Sequence, residues 1–291
     1  VLEAFAVGDA DIILFGNTFD QTITGNDGNN VIHGGAGADV IDGAGGDDFA
    51  IYTLSGAGVD VDLNRQLQNG GHAELDFLEN IENLRGSVFD DVLKGQNFAK
   101  VTGSPDNTHY GEAGDDIISD SYGNNTLYGG KGADTLTGSG KFSSLGSAGS
   151  LLFGGLGADT LEGGASTTIG GDTLAGGKGD DTYRVTSVGD IVDENFAGDI
   201  PDGVDGGHDL IIVDVDVWDM DTPGQADIED AELGTGHTVL ANDLNNKLTG
   251  NALDNEISGR GGDDTIIGNA GNDILRGGDG DDLIKGGIGD D

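Results

Sequence analysis

Aspartate recurs in this chain at intervals of nine. From Ala241 the C-terminal segment divides into ANDLNNKLT, GNALDNEIS, GRGGDDTII, GNAGNDILR, GGDGDDLIK and the fragment GGIGDD. The sixth place of these units holds Asn246, Asn255, Asp264, Asp273, Asp282 and Asp291. The same frame runs from Gly16 to Ile51 and from Gly111 to Thr137. It returns in GGLGADTLE from Gly154, in the insertion-bearing GGASTTIGGDTLA, and in GGKGDDTYR from Gly176; a weaker unit, GSVFDDVLK, starts at Gly86. Glycines take positive φ and leave their carbonyls uncovered, and short carboxylates add oxygens close to the backbone, which is the donor chemistry of a hard divalent cation. Of 54 acids, 44 are Asp and 10 are Glu, a bias that charge for solubility alone does not require.

The frame also states what must position those oxygens. Position eight is apolar almost throughout: Ile23, Ile32, Ile41, Ile118, Leu127, Leu136, Leu161, Leu248, Ile257, Ile266, Leu275 and Ile284. Residues seven to nine alternate outward, inward, outward, as a short strand does. Residues one to six make a glycine-rich turn. Nine residues give one strand and one turn, so eighteen give a full coil. Position-six residues eighteen apart then lie over one another: Asp264 with Asp282, Asp273 with Asp291, Asp116 with Asp134, and Asn30 with Asp48. If the insertion after Gly163 loops out, Asp159 lies over Asp181, with Asp172 on the other side. Asp39 has only Gln21 below it. The other reading of each Asp is a turn carboxylate that accepts backbone N–H bonds. One buried side chain per nine residues is a thin core, contributing about 1.5–3 kcal/mol, less than the conformational entropy of ordering the unit. With a formal net charge of -42 and 35% hydrophobic residues, disorder is the expected state without a counter-ion.

The unit G-G-x-G-x-D-x-U-x, with U a large apolar residue, resembles the nonapeptide of the RTX (repeats-in-toxin) calcium-binding family. The resemblance covers about half of the chain in three clusters that keep one register. It implies an all-β fold, a right-handed parallel β-roll or β-helix solenoid with several Ca²⁺ ions in the GGxGxD turns. Carried residue by residue, it gives Asp39, Asp48, Asp116, Asp134, Asp159, Asp172, Asp181, Asp264, Asp273, Asp282 and Asp291 as side-chain ligands. Asn30, Asn246 and Asn255 join them through amide oxygens. Turn carbonyls come from Gly34, Gly129, Gly154, Gly176, Gly259, Gly268, Gly277 and Gly286. Mg²⁺ is less suited, since it demands tighter octahedral geometry. The implied organisation is a β-roll segment at 1–51, a spacer at 52–85, a central roll at 86–184, a spacer of wider coils or a small β-insert at 185–240, and a C-terminal roll at 241–291. The end at Asp291 falls on a ligand position with no strand after it, so a continuation of the chain or a second subunit is expected there.

Within the spacers, Val59, Val61 and Leu63 share one strand face; Leu75, Phe77, Leu78, Ile81 and Leu84 form a second apolar group; and Ile211, Val213, Val215 and Val217 alternate. Asp214, Asp216, Asp219 and Asp221 between and beyond the valines read as a solvated face. The charge excludes nucleic acid and anionic membrane as partners. There is no cysteine and no apolar run of transmembrane length. No G-x-S-x-G or H-E-x-x-H motif occurs, and His33, His72, His109, His208 and His237 are scattered, which suits surface residues rather than ligands. The chain is therefore expected to be no enzyme itself. The resemblance implies type I secretion and an extracellular, cell-surface-attached location. The expected role is a structural or assembly element of a surface, matrix or filament-forming protein, whose copies associate end to end or laterally. The alternatives are the accessory module of an extracellular lipase, protease or alginate epimerase, and an adhesin module that binds cell-surface polysaccharide.

Overall fold

A computed structural model of the chain describes residues 2–5, 7–96, 106–138, 149–164, 171–194, 207–221 and 227–291. Short strands alternate with turns along them, and the one short 3-10 turn is Gly71–Ala73. The strands form an eleven-stranded and a nine-stranded sheet, with four-stranded sheets beside each end. Strands that neighbour in a sheet are not neighbours in sequence; most pairs skip one strand, and the three pairs around the first spacer skip two. The pairing is parallel, and in the regular segments it joins residues eighteen apart: Ile13 with Val31, Thr108 with Thr126, Ile117 with Thr135, Lys247 with Thr265. The chain thus winds as a parallel β-roll, one strand on each face per coil.

The period of two within each strand puts position eight on the inner face. Thr126–Lys131 shows it, with Leu127 buried between half-buried Thr126 and Tyr128. Ile32, Ile41, Leu93, Ile118, Leu127, Leu136, Leu161, Leu174, Tyr183, Leu248, Ile257 and Ile266 form one continuous column with no exposed surface. Position two sits in the left-handed region, where glycine is the unstrained choice: Gly130 is at φ 120°, while Glu112, Arg260 and Asn269 hold φ 83°, 66° and 75° at the same place.

Both spacers feed strands into these sheets. Asp60–Asp62 pairs with Val92–Lys94, and Phe77–Glu79 with Val40–Asp42. Leu210–Val213 lies between Thr182–Val185 and Asp230–Leu233, and the latter pairs with Lys247–Thr249. The register differs wherever longer coils intervene: Thr135 pairs with Thr160 at twenty-five residues, Thr160 with Thr182 at twenty-two, and Thr182 with Leu210 at twenty-eight. The insertion expected after Gly163 falls largely on 165–170, outside the described residues.

Three apolar expectations are corrected. Val217 is 54% exposed while Trp218 and Met220 are buried, because the bend at 215–216 shifts the alternation by one residue. Leu75 is 50% exposed, held at φ 68° outside any strand. Ile284 is 45% exposed although it occupies position eight, because no further coil lies over it.

Truncating a column residue leaves a cavity that two rigid sheets cannot close, so Leu127→Ala in saturating calcium should cost about 2–5 kcal/mol and lower the urea midpoint clearly. Ile284→Ala should leave that midpoint within error. Equal effects of the two substitutions would contradict the burial pattern.

Candidate metal turns

The turns present the position-six carboxylates edge to edge, and their two oxygens do different work. Oδ1 accepts the backbone N–H of position six in the preceding coil. Asp134 takes it from Asp116 at 2.8 Å and Asp159 from Asp134 at 2.7 Å. Asp39 takes it from Gln21, Asp264 from Asn246, Asp273 from Asn255, each at 2.9 Å. Asp282 and Asp291 do the same for Asp264 and Asp273 in the last, more exposed coils. The turn-carboxylate reading of these residues therefore applies to Oδ1.

The second oxygen has no such outlet. Oδ2 of Asp39, Asp48, Asp116, Asp134, Asp159, Asp264 and Asp273 is buried without a hydrogen-bond partner. It turns back toward the glycine at position one of its own unit. A Cβ built on Gly259 would lie 2.6 Å from the Gly277 carbonyl oxygen and closer still to Asp264 Oδ2. The same two kinds of oxygen flank Gly111, Gly129, Gly154 and Gly268, the carbonyls coming from Gly129, Gly154, Gly176 and Gly286 respectively. The Gly34 and Gly268 carbonyls crowd Gly16 and Gly250 in the same manner; Gly259 lies over Ala241, which has its own Cβ. An orphaned carboxylate oxygen thus meets a bare carbonyl from the next coil in a space only glycine leaves open. These residues fit a hard cation that binds oxygen. Among the described residues no three acidic or histidine side chains converge on a point, so the donor set combines carboxylates with backbone carbonyls.

Electrostatics agree with that fit. Burial pushes Asp116 up to about 8, Asp159 and Asp172 to about 7, and Asp39, Asp48, Asp134 and Asp264 to about 6. At neutral pH these carboxyls hold their charge poorly unless a positive charge joins them.

Not every expected ligand has a free oxygen. Asp172 Oδ2 accepts the Gly164 N–H at 2.6 Å. Asn255 Oδ1 accepts the Asn251 N–H at 2.9 Å. Asn246 Oδ1 is buried without a partner, as the Asp Oδ2 atoms are. Asn30 is reversed, with its Nδ2 among oxygens. Asp181 continues the ladder, its Oδ1 accepting from Asp159. The central roll is one-sided as a result. One edge carries Asp91, Asp116, Asp134, Asp159 and Asp181; the other carries Asn107, Asn125, Ser150 and Asp172, each linked to the next coil by the same kind of bond.

Sequence reasoning missed four features. Position five forms a second, exposed ladder of opposite direction: Asp281 N donates to Asp263 Oδ1, and Asp263 N to Asn245 Oδ1. The Asp/Asn preference before position six was its signal. Residues outside the frame, Asp76 and Glu82, cap Asp39 and Asp48 where the wide coil passes. Two histidines are interior rather than at the surface. His33 is 3% exposed, and His109 is fully buried with Nδ1 accepting from Leu84 N, which leaves the proton on Nε2 facing Asp120 at 3.1 Å. A row of rings, Phe49, Tyr110, Tyr128 and Phe153, also stacks along one sheet, Tyr110 and Tyr128 at 4.8 Å; coil register created it from tyrosines far apart in sequence.

Comparison with protein families gives a match to the RTX calcium-binding nonapeptide repeat (4 copies) over residues 15–50, 110–140, 166–182, 240–275 and 258–291, just under half of the chain. No curated protein matches the chain.

Two outcomes follow from the turn geometry. Gly259→Ala places a methyl group against Asp264 Oδ2 and the Gly277 carbonyl, so the calcium midpoint for folding should rise several-fold; Gly56→Ala, with nothing within 4 Å, should not move it. The raised carboxyl pKa values mean that the calcium-free fold binds protons the unfolded chain does not. Its stability is therefore lowest above about pH 8 and grows as pH falls through about 8 to 6. Circular dichroism in a pH-insensitive chelator should show more β-signal at pH 5.5 than at pH 8. An equal or opposite trend would contradict the burial of those groups.

Proposed function

This chain carries RTX calcium-binding nonapeptide repeats, and from that premise we propose that it is a calcium-set structural solenoid of a secreted protein. It stays unfolded while calcium is scarce, folds on calcium outside the cell, and then acts as a stiff assembly element in a surface, matrix or filament-forming protein. The observation that carries this reading is the row of buried Asp oxygens without a hydrogen-bond partner, those of Asp116, Asp134, Asp159, Asp264 and Asp273 lying beside a neighbouring coil's carbonyl.

The ligands we assign are Asp39, Asp48, Asp116, Asp134, Asp159, Asp181, Asp264 and Asp273, with Asp282 and Asp291 at the last coil. Asn246 joins them through its amide oxygen. The carbonyls of Gly34, Gly129, Gly154, Gly176, Gly268, Gly277 and Gly286 complete the turns, with Gly259 by register. Calcium supplies the positive charge that lets these oxygens approach one another. Each Asp ties two coils through Oδ1 and offers Oδ2 to the turn, so a loaded turn also orders its neighbour. Loading should therefore be cooperative. Extracellular calcium modules work at about 10⁻⁴–10⁻³ M, which places the folding step after export. In this role the chain performs no catalysis, and the glycines, the acids and the inner column are all accounted for by the coil.

Far-UV circular dichroism and small-angle scattering test it together. In excess chelator the β-signal should collapse and the radius of gyration expand; millimolar Ca²⁺ should restore both, with a Hill coefficient above one, and Mg²⁺ should not. A chain fully folded in excess chelator at pH 8 sinks the mechanism. Electron microscopy then addresses the role: ordered assemblies in calcium are expected, whereas strictly monomeric rods would turn the reading to an accessory module.

A further inference from the structure

Asn30 breaks the pattern of its own turn in an informative way. It is fully buried. Its Nδ2 lies 2.6 Å from the Gly28 carbonyl oxygen, 2.7 Å from Asp48 Oδ1, 3.2 Å from the Asn26 carbonyl and 3.3 Å from the Gly43 carbonyl. Exchanging the amide nitrogen and oxygen would set an acceptor against four acceptors, so the nitrogen must face the turn. A Cβ built on Gly25 would meet that nitrogen at 2.9 Å. At Gly111, Gly129, Gly154, Gly259 and Gly268 the atom nearest position one is instead the Asp Oδ2 of the same unit, orphaned, with the carbonyl of the next coil beside it.

The two kinds of turn are therefore isosteric and opposite in polarity. Asp puts an oxygen among oxygens, and the turn needs a cation. Asn puts two N–H donors among the same oxygens, so these oxygens need no cation, and the one buried atom left without a partner is its own Oδ1. We propose that the Asn30 amide takes the place of a cation, and that the Gly25–Asn30 turn closes against the Gly43 carbonyl and Asp48 Oδ1 with no metal between them, while Asp48 Oδ2 faces away from this joint as a ligand of the next turn. Resting on the calcium reading of the aspartate turns, this assigns Asn30 as a substitute for the ion rather than as one of its ligands. It gives the N-terminal roll a coil joint that stays closed when calcium is removed from its neighbours.

The pattern is not peculiar to Asn30. On the non-acidic edge of the central roll, Asn125 Nδ2 donates to the Tyr122 carbonyl at 3.0 Å and Asn107 Nδ2 to Asp120 Oδ2 at 2.8 Å. Both amides turn a donor inward, where the opposite edge turns a bare carboxylate oxygen. Asn246 differs in where its nitrogen points: it donates to the Ile228 and Glu229 carbonyls outside its own turn, whereas Oδ1 lacks a partner in both Asn246 and Asn30.

Native mass spectrometry of the full chain in millimolar calcium counts the ions directly. Asn30→Asp restores an oxygen at the inward position and should bind one ion more than the parent. Asn30→Ala should bind the same number as the parent, with folding confirmed by circular dichroism. No added ion in folded Asn30→Asp, or one ion lost in Asn30→Ala, overturns the proposal. If the Asp variant does not fold, the alanine count alone decides. A parent chain that binds no calcium fails the underlying reading instead, so the two failures are told apart.

Discussion

A buried carboxylate with only one oxygen satisfied is the constraint on which this solenoid depends. Oδ1 of Asp134 is fixed by the Asp116 N–H, and that bond holds the coils in register. The same bond fixes the carboxylate plane and drives Oδ2 toward the glycine turn, where the Gly154 carbonyl already points. An unpaired buried acceptor costs roughly 1–3 kcal/mol, and more when charged. Added to the conformational entropy of ordering nine residues, that cost exceeds what one leucine or isoleucine per unit returns, and we therefore read the fold and the cation as a single equilibrium.

Much else in the molecule answers to this arrangement. Position one of the units that carry Asp at position six must be glycine because a Cβ there would enter the oxygen cluster. Position eight must be apolar because the coil is closed by its facing strand. The exposed position-five ladder, running opposite to the buried one, gives each turn a second hinge line and limits how far the coils can slide. The amide turns show the alternative solution. Where Asn stands inward with its nitrogen, the oxygens find donors inside the chain, and the carboxylate cost disappears along with the metal.

The coil, its eighteen-residue register and the stacked rows of position-six residues were legible in the sequence because the chemistry repeats. Asp264 over Asp282 and Asp116 over Asp134 follow from counting, and so does the inward column through Leu127 and Ile266. What was not legible is what one dimension does not order. The orientation of the Asn30 amide depends on which atoms surround it in the folded turn. The capture of Asp172 Oδ2 by Gly164 depends on how the insertion-bearing unit closes. His109 reads as a scattered surface residue until the strand Thr108–Tyr110 places it inside against Asp120. Val217 continues an alternation in the sequence that a bend at 215–216 interrupts in the fold.

Locating the ions tests the central claim most directly. Crystals soaked with a lanthanide in place of calcium give anomalous peaks that mark each bound ion without reference to the protein density. The account predicts peaks beside Oδ2 of Asp116, Asp134, Asp159, Asp264 and Asp273, each shared with the carbonyl of the following coil, and no peak beside Asn30. Ions found only on the exposed position-five residues such as Asp263 and Asp281, with the inward oxygens bare, would contradict it.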